Sequence, residues 1–581
     1  MFTNEDIIKL AQSELNIDLS NVEFISAQNV TAIKKDGKIT VGGSTIPQKL
    51  RALSLCAINK DKEDFKIEQT PAFNNLGLMA DMSRGGVMRP EKVKELILKI
   101  ALMGANQFML YTEDTYTLED YPHFGYVRGA YTDAEIKDID DFAYNLGVEL
   151  IPCIQTLGHM AQYLTWGNET KEFKDTDAVL LCDSEETYKF IEAEIAKMKK
   201  LFRSENIHIG MDEAWDMGLG QYIRKFGYNE RYSVLKRHLG RVVDICNKYN
   251  MKPMMWSDMF FRLGSEVDEY YDTEVVFPDD IKKDVPQANL VYWDYYHKEQ
   301  EFYEKMIDRH FELGRPVVFA GSSYSTRGFL PIIHLTFETS EPGLRACLKK
   351  GVKDVWATMW GDDGCETNYF DSLYGFAMYS EMCYNPDCTR EDIDKMGSLL
   401  TAITPEIVEA IKSYFIHPYP KAIIWSDVFY NLVCVDFEKD TRYLGIKNAM
   451  KNCTDSYTNL VLDILYTKAS IYANMQKCYK SGGDMTLYSK TILPELLEKF
   501  KTLKEVFCKR WKETNKVFGL ETIQMRFNTT IGRLEYAIEV IDSYSKGESE
   551  KIEELEYEPV YTSGRLNWYN YVVSGRVANF F

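Results

Sequence analysis

Between about residue 72 and residue 390, short apolar runs alternate with longer stretches in which apolar positions recur every three or four residues. The first pattern is that of a buried strand and the second that of an amphipathic helix. Eight runs stand out: Leu76–Met82, Gln107–Tyr111, Val148–Ile154, Ile207–Met211, Pro253–Trp256, Leu290–Trp293, Pro316–Ala320 and Val355–Met359. Helical stretches follow most of them, among them Glu91 to Met103 (opened by Pro90), Asp133 to Leu146, Glu185 to Phe202, Arg231 to Tyr249 and Glu299 to Leu313. This alternation predicts an α/β fold, a closed (β/α)8 TIM barrel over 71–390. An open doubly wound sheet is disfavoured because no glycine-rich phosphate loop follows the first strand.

The flanks read differently. Residues 1–70 hold a helix-like opening and strand candidates at Asn21–Ala27 and Lys38–Val41, which predicts a small α/β accessory domain. Over 391–581 the strand signal fades. Leu460–Tyr479, Ile492–Phe518 and Ile523–Tyr544 read as helices of an α-helical domain, and the charged stretch Ser545 to Glu558 as a solvated linker or helix face.

Composition then removes whole classes of function. The 581 residues carry 88 Asp and Glu against 68 Lys and Arg, a net charge of −20 with no Lys/Arg-rich run, so nucleic acid and anionic membrane surfaces are excluded as partners. No stretch approaches ~18 uninterrupted apolar residues. Met1 to Ser20 mixes Asn4, Glu5, Asp6, Lys9 and Glu14 with apolar residues and lacks a signal-peptide core. Twelve scattered cysteines with no CxxC pair read as reduced thiols, and the expected location is the cytoplasm. With eight histidines, none paired at i, i+4 with a helix carboxylate, neither a metal nor another cofactor is expected.

In a barrel of this kind the chemistry sits at the carboxyl ends of the strands. Four ends are rich in acids and aromatics: Tyr111-Thr112-Glu113-Asp114, His208 to Glu213, Trp256-Ser257-Asp258 and Trp360-Gly361-Asp362-Asp363. Tryptophan faces stack on pyranose rings while carboxylates bind hydroxyls and move protons, so the partner expected is a small carbohydrate. Asp212-Glu213 is the sharpest feature. Adjacent strand residues point in opposite directions, so the pair cannot easily serve as acid and nucleophile facing each other across ~5 Å. With Glu213 as the acid, Asp212 could instead orient and charge-stabilise a substrate group, and a 2-acetamido oxygen is the obvious internal nucleophile. On its own the pair also fits the first turn of a helix.

His208-x-Gly210-x-Asp212-Glu213 resembles the signature of the family 20 glycoside hydrolases, the β-N-acetylhexosaminidases. Gly77-x-Met79-x-Asp81-x-Ser83-Arg84 resembles that family's first strand, Tyr111 to Asp114 its second, Gln155-Thr156-Leu157-Gly158-His159 its third, Trp256-Ser257-Asp258 its fifth, Tyr292 to Tyr296 its sixth and Trp360-Gly361-Asp362 its eighth. The order of these motifs and the helical C-terminal region are most similar to the intracellular bacterial branch, subfamily C. The resemblance implies that Glu213 is general acid and then base, while Asp212 holds the acetamido nitrogen and stabilises an oxazolinium intermediate. It also implies that Trp256, Trp293 and Trp360 wall the pocket and that Asp362 bonds the 4- or 6-hydroxyl. His159 and His208 look like supports for the acid pair, or core histidines. Glu113 and Asp114 could reach hydroxyls or pair with Arg84 or Arg128, and Asp258 and Asp294 are further acidic candidates beside their tryptophans.

Three departures from the family pattern bear on specificity. Leu76 stands where the best-known members carry a sugar-gripping arginine. The seventh strand reads Gly321 to Phe329 with Tyr324 and Thr326 in place of two tryptophans, followed by Arg327. The tyrosine for the acetamido carbonyl is Tyr295 by strand alternation, with Tyr324 competing. The resulting expectation is a retaining exo-β-N-acetylhexosaminidase acting on short glycans. The alternatives are a same-fold hydrolase of another sugar, with Asp258 or Asp362 as second carboxylate, and an idle sugar-binding protein. The C-terminal helices could mediate a homodimer and place Trp568 or Tyr569 near a barrel mouth.

Overall fold

A computed structural model of the chain describes residues 1–558 except 280–281, 283–286, 363, 417–419 and 431–441. Four strands precede the barrel: β1 (Val22–Ile25), β2 (Val30–Lys35), β3 (Lys38–Gly42) and β4 (Phe65–Gln69), in the order β1-β3-β2-β4. Asp36 and Gly37, both at positive φ, turn β2 into β3, as a two-residue hairpin requires. Helix Ile46–Ile58 buries nearly its whole length, including Arg51, whose guanidinium pairs with Glu381 at 3.0 Å and bonds Ser380 and the Met103 carbonyl. Strands β2 and β4 and this helix add to the two strand candidates that the alternation predicts.

The next eight strands close into the predicted barrel. They are β5 (Asn75–Asp81), β6 (Gln107–Tyr111), β7 (Glu149–Cys153), β8 (Asn206–His208), β9 (Lys252–Trp256), β10 (Asn289–Trp293), β11 (Val317–Ser322) and β12 (Asp354–Met359). All neighbours pair in parallel, and β12 closes on β5 with Val355 opposite Leu76. Strand residues are buried almost throughout, which explains their continuous apolar pattern. Intervening helices carry ordinary stop and start signals: Thr132 and Glu135 form a capping box on Asp133–Leu146, and Gly147 ends it at φ 76°.

One strand differs from its sequence pattern. β8 ends at His208, three residues short of the apolar run, because Gly210 (φ 69°) and Met211 (φ 73°) leave the extended conformation. The acid pair therefore stands on an irregular segment, and strand alternation does not govern the directions of its side chains. No helix begins directly after it; the next is Gln221–Phe226.

The chain forms two compact units. The first comprises Met1–Tyr324, Leu335–Trp360 and Ser372–Ala402, and so holds the N-terminal sheet and the barrel strands. The second takes Ser325–His334, Gly361–Asp371 and the chain from Ile403 onward. Helices Ser456–Lys480, Leu493–Thr514 and Leu520–Ser545 dominate it. In its interior Glu366 accepts from Lys421 (2.8 Å) and Arg526 (2.9 Å), and Phe329 packs among Trp425, Phe507 and Phe527. Lys468, fully buried, donates to the Ile424 and Ser426 carbonyls, and burial pushes its pKa down to about 7. Trp568 and Tyr569 lie outside the described residues.

Candidate active site

The loops after β5 to β7 set up the acid pair from one side. Asp81, closing β5, accepts from Ser83 N–H and Oγ at 2.9 Å and from Arg84 N–H at 3.2 Å, and this turn presents the Arg84 side chain. The Arg84 guanidinium donates to Glu113 Oε1 (3.1 Å) and the Tyr111 hydroxyl (3.3 Å), meets His159 Nδ1 at 3.2 Å and lies 4.8 Å from the Trp360 ring centre. Burial pushes the Glu113 carboxyl up, with Arg84 opposing. Asp114 pairs with Arg128 at 3.2 Å. Both acids after β6 are thus in the ion pairs that the sequence offers as one of their two roles.

Asp212 is buried and fully engaged. Its Oδ1 accepts from Gln155 Nε2 at 2.9 Å and its Oδ2 from His159 Nε2 at 3.1 Å. Burial works against its charge, but His159, Gln155 and Arg84 outweigh it and hold the carboxyl down at about 2. His159, itself at φ 55°, is disfavoured as a cation by burial. Asp212 beside it overcomes that and lifts its pKa to about 9, with Arg84 pulling the other way. A guanidinium only donates, so its contact with Nδ1 is a hydrogen bond only while that nitrogen keeps its lone pair; Nε2 carries a hydrogen in either state.

Gln155 organises the irregular segment as well. Its Nε2 also donates to the Tyr111 hydroxyl (3.0 Å), and its Oε1 accepts from the Met211 N–H (3.3 Å). A Cβ on Gly210 would stand 2.0 Å from that same Oε1, so only glycine fits. Below, His208 Nδ1 accepts from Gly210 N–H at 3.1 Å, and burial holds the ring neutral with its pKa down at about 3.

Glu213, at φ 50°, has a side chain that keeps 34% of its surface exposed, with one oxygen 3.6 Å from His159 Nε2. Its N–H donates to Asp258 Oδ2 at 2.9 Å. Asp258 is buried, and burial, then Asp212 and Glu213, push its carboxyl up to about 8, against hydrogen bonds from the Glu213 N–H and the Trp293 side chain.

Aromatic walls complete the arrangement. Trp256 packs 4.5 Å from the His208 ring and 6.0 Å from Trp360, and Trp360 meets Tyr111 edge-on at 4.8 Å. Trp360 Nε1 donates to the Tyr295 hydroxyl at 3.1 Å. Trp293 lies 5.3 Å from Tyr295, 5.9 Å from Tyr270 and 5.6 Å from Tyr271. The buried Nε1 of Trp256 has no partner among the described residues, and a buried donor left so is costly unless a ligand or water completes it.

Other candidates are placed differently. Asp294 has no exposed surface; its oxygens accept from Tyr292 Oη (2.8 Å), His297 Nδ1 (2.8 Å) and the Tyr296 N–H (3.0 Å). The Tyr324 hydroxyl donates to the Tyr295 carbonyl. Asp362, Thr326 and Arg327 fall in the second unit, with Arg327 exposed. Gln155 and Tyr111 join the site although only their motifs drew notice, and Tyr270 sits in a loop with no sequence signal. Among the described residues no cluster of His, Cys, Asp or Glu could hold a metal ion.

A parallel eight-stranded barrel whose strand ends combine an ionised Asp, an adjacent accessible Glu and a set of tryptophans is the arrangement of a glycoside hydrolase. Residues 73–277 match the glycosyl hydrolase family 20 catalytic domain, and residues 412–569 match the glycoside hydrolase 20C C-terminal domain. The chain belongs to glycoside hydrolase family 20. Hexosaminidase D of Bos taurus is 28% identical over 184 residues, covering 29% of this chain and 52% of that protein. Beta-hexosaminidase 1 of Arabidopsis thaliana is 25% identical over 293 residues, covering 44% and 51%. The chain spans about half the length of these relatives. Among solved structures, the Flavobacterium johnsoniae chitobiase aligns over 95% of this chain and 89% of its own at 15% identity, with a TM-score of 0.52, a likeness of fold.

Proposed function

We propose that the chain is a retaining exo-β-N-acetylhexosaminidase that removes terminal β-linked GlcNAc or GalNAc from short glycans by substrate-assisted catalysis. The observation that carries this reading is the environment of Asp212, held as a carboxylate by His159 and Gln155 directly beside the accessible Glu213. Glu213 protonates the glycosidic oxygen as the acetamido oxygen attacks C1, so that the C1–O bond to the leaving group breaks while the oxazolinium ring closes. Asp212 accepts the acetamido N–H and balances the positive charge that develops there. Glu213, now a carboxylate, takes a proton from the water that opens the ring at C1, and two inversions give net retention.

Trp256, Trp293 and Trp360 take the sugar face and the acetamido methyl, and the unpartnered indole N–H of Trp256 offers a donor to it. Tyr295 is favoured over Tyr324 for the acetamido oxygen. Its hydroxyl is held among the tryptophans by the Trp360 indole N–H, whereas Tyr324 spends its hydrogen on a backbone carbonyl. Asp258 and His159 act behind the acids, and Glu113 acts through Arg84. The eleven described cysteines are free thiols, which supports work in the cytoplasm. Hydrolysis of aryl β-GlcNAc and β-GalNAc glycosides tests the reading. Wild type releases the β-anomer first, Glu213→Gln loses activity, and a thioacetamido substrate slows sharply. Full activity in Glu213→Gln, or a thioacetamido analogue cleaved at the normal rate, overturns it.

A further inference from the structure

Two residues beyond the acid, a large aromatic side chain stands in the open. Trp215 is 51% exposed, yet its backbone is pinned: its N–H donates to the Glu213 carbonyl at 2.8 Å, and Arg231 donates to its carbonyl and, at 3.2 Å, to that of Met217. A single exposed apolar residue needs no explanation, but an indole carried on a main chain fixed next to Glu213 presents a flat apolar surface two residues from the acid. The Arg262 guanidinium lies 5.8 Å from the Trp215 ring centre and 5.2 Å from that of Tyr270. Tyr270 in turn leans 5.9 Å from Trp293, a wall of the sugar pocket. The Tyr270 hydroxyl and the Arg262 side chain are hydrogen-bonded to each other, which ties the two into one unit beside the Trp215 ring. These side chains belong to one stretch after β9 that begins at Asp258, the acceptor for the Glu213 N–H.

We propose that Trp215, Arg262 and Tyr270 form the subsite for the leaving half of the substrate, and that this half is a neutral hexopyranose joined through the scissile bond. The proposal rests on Glu213 being the acid, because it is the glycosidic oxygen next to Glu213 that carries the second sugar past Trp215. The indole takes the apolar face of that ring by stacking, and the hydrogen-bonded Arg262–Tyr270 pair borders it and offers its remaining donors to the ring's hydroxyls. A neutral ring fits because Asp212, held as a carboxylate beside the acid, repels an anionic one. The subsite makes a sugar-linked substrate better than one with a small leaving group, without contact to the terminal residue.

The test compares binding in the Glu213→Gln protein, which cannot turn substrate over, using free GlcNAc and an intact β-linked GlcNAc disaccharide as calorimetric probes. Adding Trp215→Ala is expected to weaken the disaccharide by about tenfold relative to GlcNAc, the size of one lost stacking contact with its buried area. Trp215→Tyr is expected to restore most of the difference. In the enzyme with Glu213 intact, Trp215→Ala should raise KM for the disaccharide well beyond any change for methyl β-GlcNAc. An unchanged ratio between disaccharide and single sugar, in binding and in KM, overturns the proposal. Failure of the Glu213→Gln protein to bind either sugar before Trp215 is altered overturns the hexosaminidase reading and this proposal with it.

Discussion

The backbone N–H of Glu213 donates to Asp258 Oδ2 at 2.9 Å, so a buried carboxyl group holds the main chain of the residue that carries the accessible acid. Glu213 adopts φ 50°, a conformation that side chains other than glycine reach only when surroundings hold them there. Asp258 is one of those surroundings, and its charge state matters to the other two acids of the site.

Burial, with Asp212 and Glu213 nearby, raises the Asp258 carboxyl from 3.8 to about 8, so it is protonated at neutral pH. Its contribution to stability is therefore full below about pH 4 and is lost as pH rises through about 8. Above that pH a third negative charge appears beside Asp212 and Glu213, and kcat/KM is expected to fall. Asp258→Asn keeps an acceptor for the Glu213 N–H and cannot ionise, so it should retain activity within about tenfold and lose the alkaline limb. Asp258→Ala leaves that N–H without its acceptor and should cost about 10²-fold. A pH-rate profile of the three proteins checks this.

His159 is expected to govern the acidic side. Replacing it with Gln removes the main influence that keeps Asp212 at about 2, so Asp212 should titrate closer to its ordinary value and the acid limb of kcat/KM should move upward. The loss at the optimum should be about 10²-fold, the range for one polar group supporting a developing charge. The His159 pKa is raised from 6.5 to about 9, so its stabilisation is full below about pH 6.5 and is lost as pH rises through about 9. Thermal melts between those values should therefore fall less steeply in His159→Gln than in the wild type.

The barrel was legible because its strands are buried on both sides and read as apolar runs; β6 matches its run residue for residue. The N-terminal sheet was harder. β2 ends in lysines and β4 alternates lysine with glutamate, so neither has a continuous run, although Asp36-Gly37 is a hairpin signal. Strand-end position marked Asp212, Glu213 and the tryptophans as neighbours in space. It could not show the bonds that set their charge, since Gln155 reaches Asp212 from the loop after β7 and Tyr111 reaches Arg84 from β6. Nor does it fix direction, as the inward hydrogen bonds of Asp294 illustrate. Tyr270 lies in a loop where no periodicity operates. The charged stretch after Ser545 hides Ile552 and Leu555, both fully buried.

Gly210 is where backbone and catalysis meet most tightly. Alanine there would adopt an unfavourable φ of 69° and drive its Cβ against Gln155 Oε1, which would then release the Met211 N–H and swing its other end from Asp212. Gly210→Ala should cost about 1–3 kcal/mol of stability from strain. Its effect on kcat/KM should be greater than on the melt, at least about 10²-fold, because Asp212 loses a hydrogen bond to its charge. Denaturant unfolding and kinetics on the same preparation separate the two effects. Equal activity to wild type would mean that Gln155 does not position the acid pair.

The second unit contains its own test of buried charge. Glu366 has a side chain 1% exposed and is shared between Lys421 and Arg526, exposed by 4% and 7%, while its Oε1 also accepts from Trp425 Nε1 at 3.3 Å. Removing the Glu366 charge breaks two ion pairs in a dry interior, and breaking a buried pair by removing one partner typically costs about 3–5 kcal/mol. Glu366→Gln keeps the shape and removes only the charge, so it should show most of that loss in denaturant unfolding of the full chain. Removing a cation as well, in Glu366→Gln with Lys421→Met, should recover part of it, since Lys421 then no longer buries its charge without the Glu366 carboxylate. If the double variant is as unstable as the single one, the loss comes from packing around Trp425 and Phe527 and not from charge.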